Sequence, residues 1–195
     1  MKILIIDFYD SFVYNLVDYF SSLGCEVIVK CDHDIDLDDL SFLDDYNGVV
    51  LSPGPGLPNE TTSMMEVIRY CKRRIPLLGV CLGMQGLGLS IGEQLVNLDR
   101  IRHGIQDNVY VIRDAILFKG LPSSFDVGLY HSWGFNSFRT ELITALDNYG
   151  VVMAVENEEE HWYGVQFHPE SIMTSFGKTM IENAVRHVFS REKKH

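Results

Sequence analysis

The run Gly79-Val80-Cys81-Leu82-Gly83 places a cysteine between two glycines, directly after the apolar pair Leu77-Leu78. That is the shape of a nucleophile elbow, in which a strand turns abruptly into a helix. Glycines beside the bend let the backbone lift the sulfur into the open, and the helix amides favour its anionic form. An inert cysteine in an apolar element is the other reading of such a residue, and it suits Cys25, Cys31 and Cys71 better. Gly83, Gly86, Gly88 and Gly92 follow in the predicted helix, each costing roughly 1 kcal/mol relative to Ala in a helix interior. A helix that carries so many glycines is expected to pack backbone-close against its neighbours.

A thiol nucleophile needs a base, and His168-Pro169-Glu170 offers one. Residues two apart in an extended segment face the same way, and Pro169 stiffens the link. Glu170 can then hold one imidazole nitrogen of His168 while the other exchanges protons with sulfur. Among the seven histidines His131, in Tyr130-His131-Ser132-Trp133, is the main rival, but no carboxylate lies near it in sequence. His103 beside Gly104 reads as a loop residue and His187 as a helix-surface residue. With no His-x-x-x-His pair and no Cys-x-x-Cys pair, neither a metal nor any other cofactor is expected in this chain.

Ser52-Pro53-Gly54-Pro55-Gly56 can be an ordinary turn. At the carboxyl end of a strand it can also expose amides to a developing oxyanion, with the prolines keeping the loop stiff. The Gly-Lys-Ser/Thr ending of a phosphate-binding loop is missing.

Around these motifs the chain alternates. Ile3-Leu4-Ile5-Ile6 reads as a buried parallel strand. A helix follows with Phe12, Leu16, Tyr19 and Leu23 on one side, capped by Asp10 or Ser11 and closed by Gly24. Val27-Ile28-Val29 and Gly48-Val49-Val50-Leu51 read as the next strands. Ser63 and Glu66 suggest a capping box for a helix burying Met64, Ile68 and Cys71, and Leu77-Leu78-Gly79-Val80 leads into the elbow. This rhythm predicts an α/β fold: a mostly parallel, doubly wound sheet with helices on both faces and a site at the carboxyl ends of the strands. Residues 93–155 hold short β-like runs such as Val109-Tyr110-Val111-Ile112 and Val151-Val152-Met153-Ala154-Val155, predicting a smaller antiparallel β addition. Glu158-Glu159-Glu160 reads as a solvated hairpin tip and Tyr163-Gly164-Val165-Gln166-Phe167 as a strand. Ile181, Val185 and Val188 mark a last helix, and residues 191–195 read as a frayed tail.

Against 16 Lys plus Arg stand 27 Asp plus Glu, a formal charge of −11. That balance opposes phosphate contacts, so neither nucleic acid nor an anionic membrane is an expected partner. The first apolar run is too short for a signal peptide or a spanning helix, so a cytoplasmic protein is expected.

Taken in order, these segments resemble the class I (triad) glutamine amidotransferases, and within them component II of aminodeoxychorismate synthase and of anthranilate synthase. The landmarks are Asp7-Phe8-Tyr9-Asp10-Ser11-Phe12, Leu51-Ser52-Pro53-Gly54-Pro55-Gly56, Gly79-Val80-Cys81-Leu82-Gly83-Met84-Gln85, His103-Gly104, Tyr130-His131-Ser132 and Gly164-Val165-Gln166-Phe167-His168-Pro169-Glu170-Ser171. The resemblance implies one amidotransferase domain over residues 1–195. It makes Cys81 the nucleophile, His168 the general base and acid, and Glu170 the residue orienting the imidazole. L-glutamine would be held by Gly54, Pro55, Gly56, Gln85 and the Ser132-Trp133 backbone, with the Gly54 and Leu82 amides serving the oxyanion. Ammonia would pass to a chorismate-binding synthase subunit (component I) in a heteromer. Between the two branches the reading leans slightly to aminodeoxychorismate. Phe8, Met84 and Trp133 depart from the family pattern, and none is a triad member. Two other readings stay open at this point: a γ-glutamyl peptidase-like triad hydrolase, and a non-catalytic interaction module that keeps the elbow for packing.

Overall fold

The computed structural model of the protein describes residues 1–190; the predicted tail, residues 191–195, lies outside them. Among the described residues, strands β1 (Lys2–Asp7), β2 (Glu26–Cys31), β3 (Gly48–Leu51), β4 (Leu77–Val80), β5 (Val96–Val111), β6 (Ser124–Gly134), β7 (Ile143–Asp147), β8 (Val152–Asn157) and β9 (Trp162–Val165) form one sheet. Its order is β2-β1-β3-β4-β9-β8-β7-β5-β6. The first five strands pair in parallel. From β9 onward every pairing is antiparallel. The predicted parallel sheet and its antiparallel addition are therefore two halves of one surface, joined at β9.

Helices α1 (Val13–Ser22), α2 (Met64–Cys71), α3 (Leu82–Leu89) and α4 (Gly177–Asn183) cover the parallel half. β1 shows why its apolar run is unbroken. Ile3 and Ile5 join Leu16, Phe20 and Ile181 in one core, while Leu4 and Ile6 join Met64, Ile68 and Leu87 in another. Successive side chains point to opposite faces, so a strand covered on both sides needs hydrophobes at every position. Each such side chain, fully buried, contributes roughly 1.5–3 kcal/mol.

Several local expectations are corrected. The buried stripe of α1 is Val13, Leu16 and Phe20. Phe12 precedes that helix; its N–H donates to Asp10 Oδ1 at 2.7 Å, and its ring packs toward the strands. Ser63 does not build a capping box with Glu66. Its hydroxyl and N–H both go to Asp32 Oδ1, at 2.6 and 2.8 Å, while Glu66 pairs with Arg69. A buried carboxylate from a distant loop thus takes the orphan donors that a local side chain was expected to serve. After α4 the chain continues as a π-helical stretch, Ala184–Phe189, which changes the phase of the buried stripe to Ile181, Ala184 and Val188 and leaves Val185 only half-buried. The acidic tip between β8 and β9 is tethered as well as solvated, Glu159 pairing with Arg73 and Glu160 with Lys72.

His103 lies within β5, opposite Tyr130 of β6, and is not a loop residue. The irregularity signalled by Gly104 is a break in pairing between His103 and Ile105, where Gly104 adopts a φ of 72°. A glycine accepts that left-handed turn without a side-chain clash, and the bulge keeps the strand going beyond it.

Candidate active site

Cys81 follows the last residue of β4 and precedes the first of α3, with φ of 51° and ψ of −102°. A non-glycine residue held there is strained, and such strain is tolerated where the surroundings over-determine it. Two observations show how they do. The Cys81 N–H donates to the Val165 carbonyl at 2.8 Å, extending the β4–β9 pairing by one residue. The glycines around the bend leave no space for relaxation: a Cβ on Gly79 would sit 2.5 Å from the Gly83 carbonyl carbon, and one on Gly83 would sit 2.3 Å from the Leu51 carbonyl oxygen. Farther along α3, Gly86 meets Met64 and Gly88 meets Phe135. The glycine-rich helix is backbone-close on several sides, as its composition predicts.

His168 lies just past the end of β9, where the Val80–Val165 register brings the chain alongside Cys81. Its backbone is fixed from three directions. The N–H donates to the Gly128 carbonyl at 3.1 Å, and the carbonyl accepts from Ser171 N–H at 3.1 Å and from Thr174 Oγ1 at 2.5 Å. Its Nδ1 and Glu170 Oε1 are 2.7 Å apart, both side chains almost wholly buried. Burial alone pushes the imidazole toward its neutral form. The neighbouring Cys81 and Glu170 outweigh that and hold its pKa well above the ordinary 6.5. The ring is therefore held by a carboxylate through Nδ1, and its buried Nε2 keeps an open hydrogen-bonding position with Cys81 nearby. Phe12 and Tyr130 pack on it, with ring centroids 5.9 and 4.7 Å away, and exclude water.

A cavity of about 210 Å³ opens beside Cys81. Gly54, Pro55, Gly56, Leu82, Gln85, Ser132 and Trp133 all border it, so the seven residues expected to hold substrate converge. At roughly 300–1,000 Å³ for drug-sized ligands, this volume suits something smaller, such as a free amino acid. Gly54 is pressed against Phe8: a Cβ there would meet the Phe8 carbonyl oxygen at 2.5 Å. The Phe8 N–H is in turn held by Ser52 Oγ at 2.9 Å. Phe8 thus bolts the glycine-proline loop to β1, and Met84, fully buried, packs under Gly164 of β9. A wider depression of about 790 Å³ lies over residues 111–123, but it contains neither cysteine nor histidine and lies apart from the elbow.

His103, Tyr130 and His131 also line the small cavity, and sequence reasoning assigned them no role there. His131, the rival base, is separately employed. Its Nδ1 lies 2.8 Å from the Trp133 carbonyl, which can only accept, so Nδ1 carries the proton. Burial, opposed by that bond, lowers its pKa to about 4. Behind it Arg102, opposite His131 in the strand register, forms a buried ion pair with Asp147. Asp147 Oδ1 also accepts the N–H groups of Tyr149 and Val151 at 2.8 and 2.9 Å. The only sequence signal for this support was the alternation of β6, which places His131 and Trp133 on one face.

Among the described residues, two groups of side chains bring possible metal-ligating atoms within 4.8 Å of one another: Cys31, His33 and Asp34, and Asp10, His168 and Glu170. In both, the histidine is already engaged, His33 by Tyr9 and Asp34 and His168 by Glu170.

Residues 4–188 match the family described as glutamine amidotransferase class-I. Anthranilate synthase component 2 of Helicobacter pylori is 38% identical over 191 residues, covering 95% of this chain and 96% of that one. The aminodeoxychorismate/anthranilate synthase component 2 of Bacillus subtilis is 38% identical over 187 residues, covering 94% of this chain and 95% of that one. Among solved structures, a Thermoplasma acidophilum protein assigned to GMP synthase superposes with a TM-score of 0.83 at 26% identity, over 94% of this chain and 91% of that one.

Proposed function

Because the chain belongs to the class I glutamine amidotransferases, we propose that it is the glutaminase subunit of a chorismate-aminating synthase, with Cys81, His168 and Glu170 as its triad. The observation that carries the reading is the His168 imidazole, held at 2.7 Å by Glu170 with Cys81 as its neighbour, beside a cavity of amino-acid size. The thiolate attacks the γ-carbonyl of L-glutamine, and the oxygen takes up charge near the Gly54 and Leu82 amides. His168 gives a proton to the departing nitrogen, which leaves as ammonia. Water, deprotonated by the same imidazole, then cleaves the thioester to glutamate and restores the thiol. Glu170 keeps the ring in register.

Ammonia released here serves a partner synthase subunit that binds chorismate, a role supported by the component 2 names of the relatives. Of eight similar relatives, seven carry anthranilate names alone, and the Bacillus subtilis protein carries both. The lean toward aminodeoxychorismate therefore gains no support from these names. Among the described residues no helix is long and apolar enough to cross a membrane. We place the subunit in the cytoplasm, where glutamine and reduced thiols are abundant.

The test is Cys81→Ser in the complex with the synthase subunit. Glutamine hydrolysis should vanish, while the melting temperature stays near wild type and amination with free ammonia persists. Unchanged glutamine turnover would rule out the covalent route. A strong preference for γ-glutamyl peptides over free glutamine would favour the peptidase reading.

A further inference from the structure

The triad accounts for moving protons, yet a polar side chain outside it reaches the nucleophile. Gln166 Nε2 lies 3.5 Å from Cys81 Sγ, and the Gln166 side chain is completely buried. On its other side, Gln166 Oε1 accepts from Gln85 Nε2 at 3.2 Å, and Gln85 Nε2 also donates to the Trp133 carbonyl at 3.0 Å. Sheet geometry puts the pieces together. Val80 pairs with Val165, so Cys81 and Gln166 emerge from β4 and β9 side by side. Gln166 and His168, two residues apart along one extended segment, share a face.

The direction of this chain of bonds is fixed at its far end. A backbone carbonyl only accepts, so Gln85 must turn its amino group to Trp133. Gln166 must then offer its oxygen to Gln85, which leaves its amino group for the sulfur. The direction has a chemical consequence. An N–H aimed at sulfur favours the thiolate, whereas an oxygen in the same place would favour the thiol.

We propose that Gln166 is a further catalytic residue, whose amide N–H stabilises the Cys81 thiolate before attack and which is oriented for that task by Gln85 and the Trp133 carbonyl. The proposal rests on the reading of Cys81 as nucleophile. It gives Gln85 a second duty: the residue that borders the glutamine cavity also sets the polarity of the contact to sulfur. His168 supplies and removes protons, and Gln166 holds charge without exchanging any.

The test measures Cys81 directly, without glutamine, in the full-length chain. Alkylation by iodoacetamide at pH 7 is followed by mass spectrometry of the Cys81 peptide, with half-buried Cys31 as internal reference. Gln166→Met removes the donor while nearly conserving volume. Its Cys81 should alkylate about tenfold more slowly, as for loss of one hydrogen bond to a charged group, and kcat for glutamine should fall by a similar factor with KM nearly unchanged. Gln166→Glu keeps the shape and the acceptor for Gln85 but presents oxygen to sulfur. It should be slower still, and it carries the test if the Met variant does not fold. Wild-type alkylation rates in either folded variant would overturn the role, as would a defect confined to KM, which would mark Gln166 as mere support for the cavity wall. Wild-type enzyme that keeps its glutamine turnover after Cys81 is alkylated would overturn the nucleophile assignment itself, and the Gln166 role with it.

Discussion

The His131 imidazole makes the protein's acid stability calculable. In the folded chain its pKa lies at about 4, chiefly because burial disfavours the charged ring, with Arg102 and His168 adding to that and the Trp133 bond opposing it. In the unfolded chain it returns to the ordinary value of 6.5. Since the folded value is depressed, the unfolded state binds the proton first as pH falls. The neutral ring's contribution is complete above 6.5 and is lost progressively toward 4. The gap of about 2.5 pH units corresponds to about 3 kcal/mol when fully developed, and to about 2 kcal/mol at pH 5. His168 does not blur the measurement. Its pKa is raised, so its contribution is full below 6.5, is lost progressively as pH rises toward the higher folded value, and is common to any variant that keeps His168 in place.

The perturbation is His131→Asn, whose amide nitrogen can replace Nδ1 as donor to Trp133 but which does not titrate. Urea unfolding of both proteins at pH 7 and pH 5 gives the comparison. Wild type should lose about 2 kcal/mol more than the variant between the two, equivalent to roughly 4–8 °C in melting temperature for a chain of this size. Whatever packing the variant sacrifices is the same at both pH values and cancels. Equal losses in the two proteins would refute the buried, neutral ring and the tautomer that follows from it.

Three further substitutions probe the frame. A Cβ on Gly177 would lie 1.8 Å from the Pro169 carbonyl oxygen, so Gly177→Ala should cost about 1–3 kcal/mol or more and reduce kcat by displacing the His168–Glu170 segment. Gly92→Ala, which meets nothing within 4 Å but has a φ of 87°, should cost only about 1 kcal/mol and leave turnover intact; equal kcat in the two variants would contradict the assignment. Arg102→Met strands the buried Asp147 carboxylate and should cost about 3–5 kcal/mol, largely recovered in the double variant with Asp147→Asn. A loss below about 1 kcal/mol in chemical denaturation would show that the pair is dispensable.

The parallel half of the fold was readable because its strands advertise themselves: Gly48–Leu51 and Leu77–Val80 begin and end where the apolar runs do. The elbow was readable for a related reason, since glycines flanking a cysteine have few other uses. What escaped depends on partners distant in sequence. Asp32 caps α2 across the molecule, and no local pattern announces a carboxylate arriving from 31 residues away. Phe12 has helical spacing yet packs against Tyr130 and His168, because the helix starts one residue later than periodicity suggested. His103 looked like a loop residue because Gly104 marks a break, and a bulge inside a strand leaves the same local mark. Gln166 was noticed only as part of a strand and of a family landmark, with no role of its own, since its importance comes from the Val80–Val165 register.

Among the described residues β9 is the last strand, yet it lies between β4 and β8, and that placement governs how the enzyme is made. A polypeptide leaving the ribosome exposes the sulfur early, and the two flanks of the sheet must wait, unjoined, for a late segment to slot between them. The same insertion delivers the imidazole. A nascent or C-terminally truncated chain therefore lacks both its closing seam and the His168 imidazole.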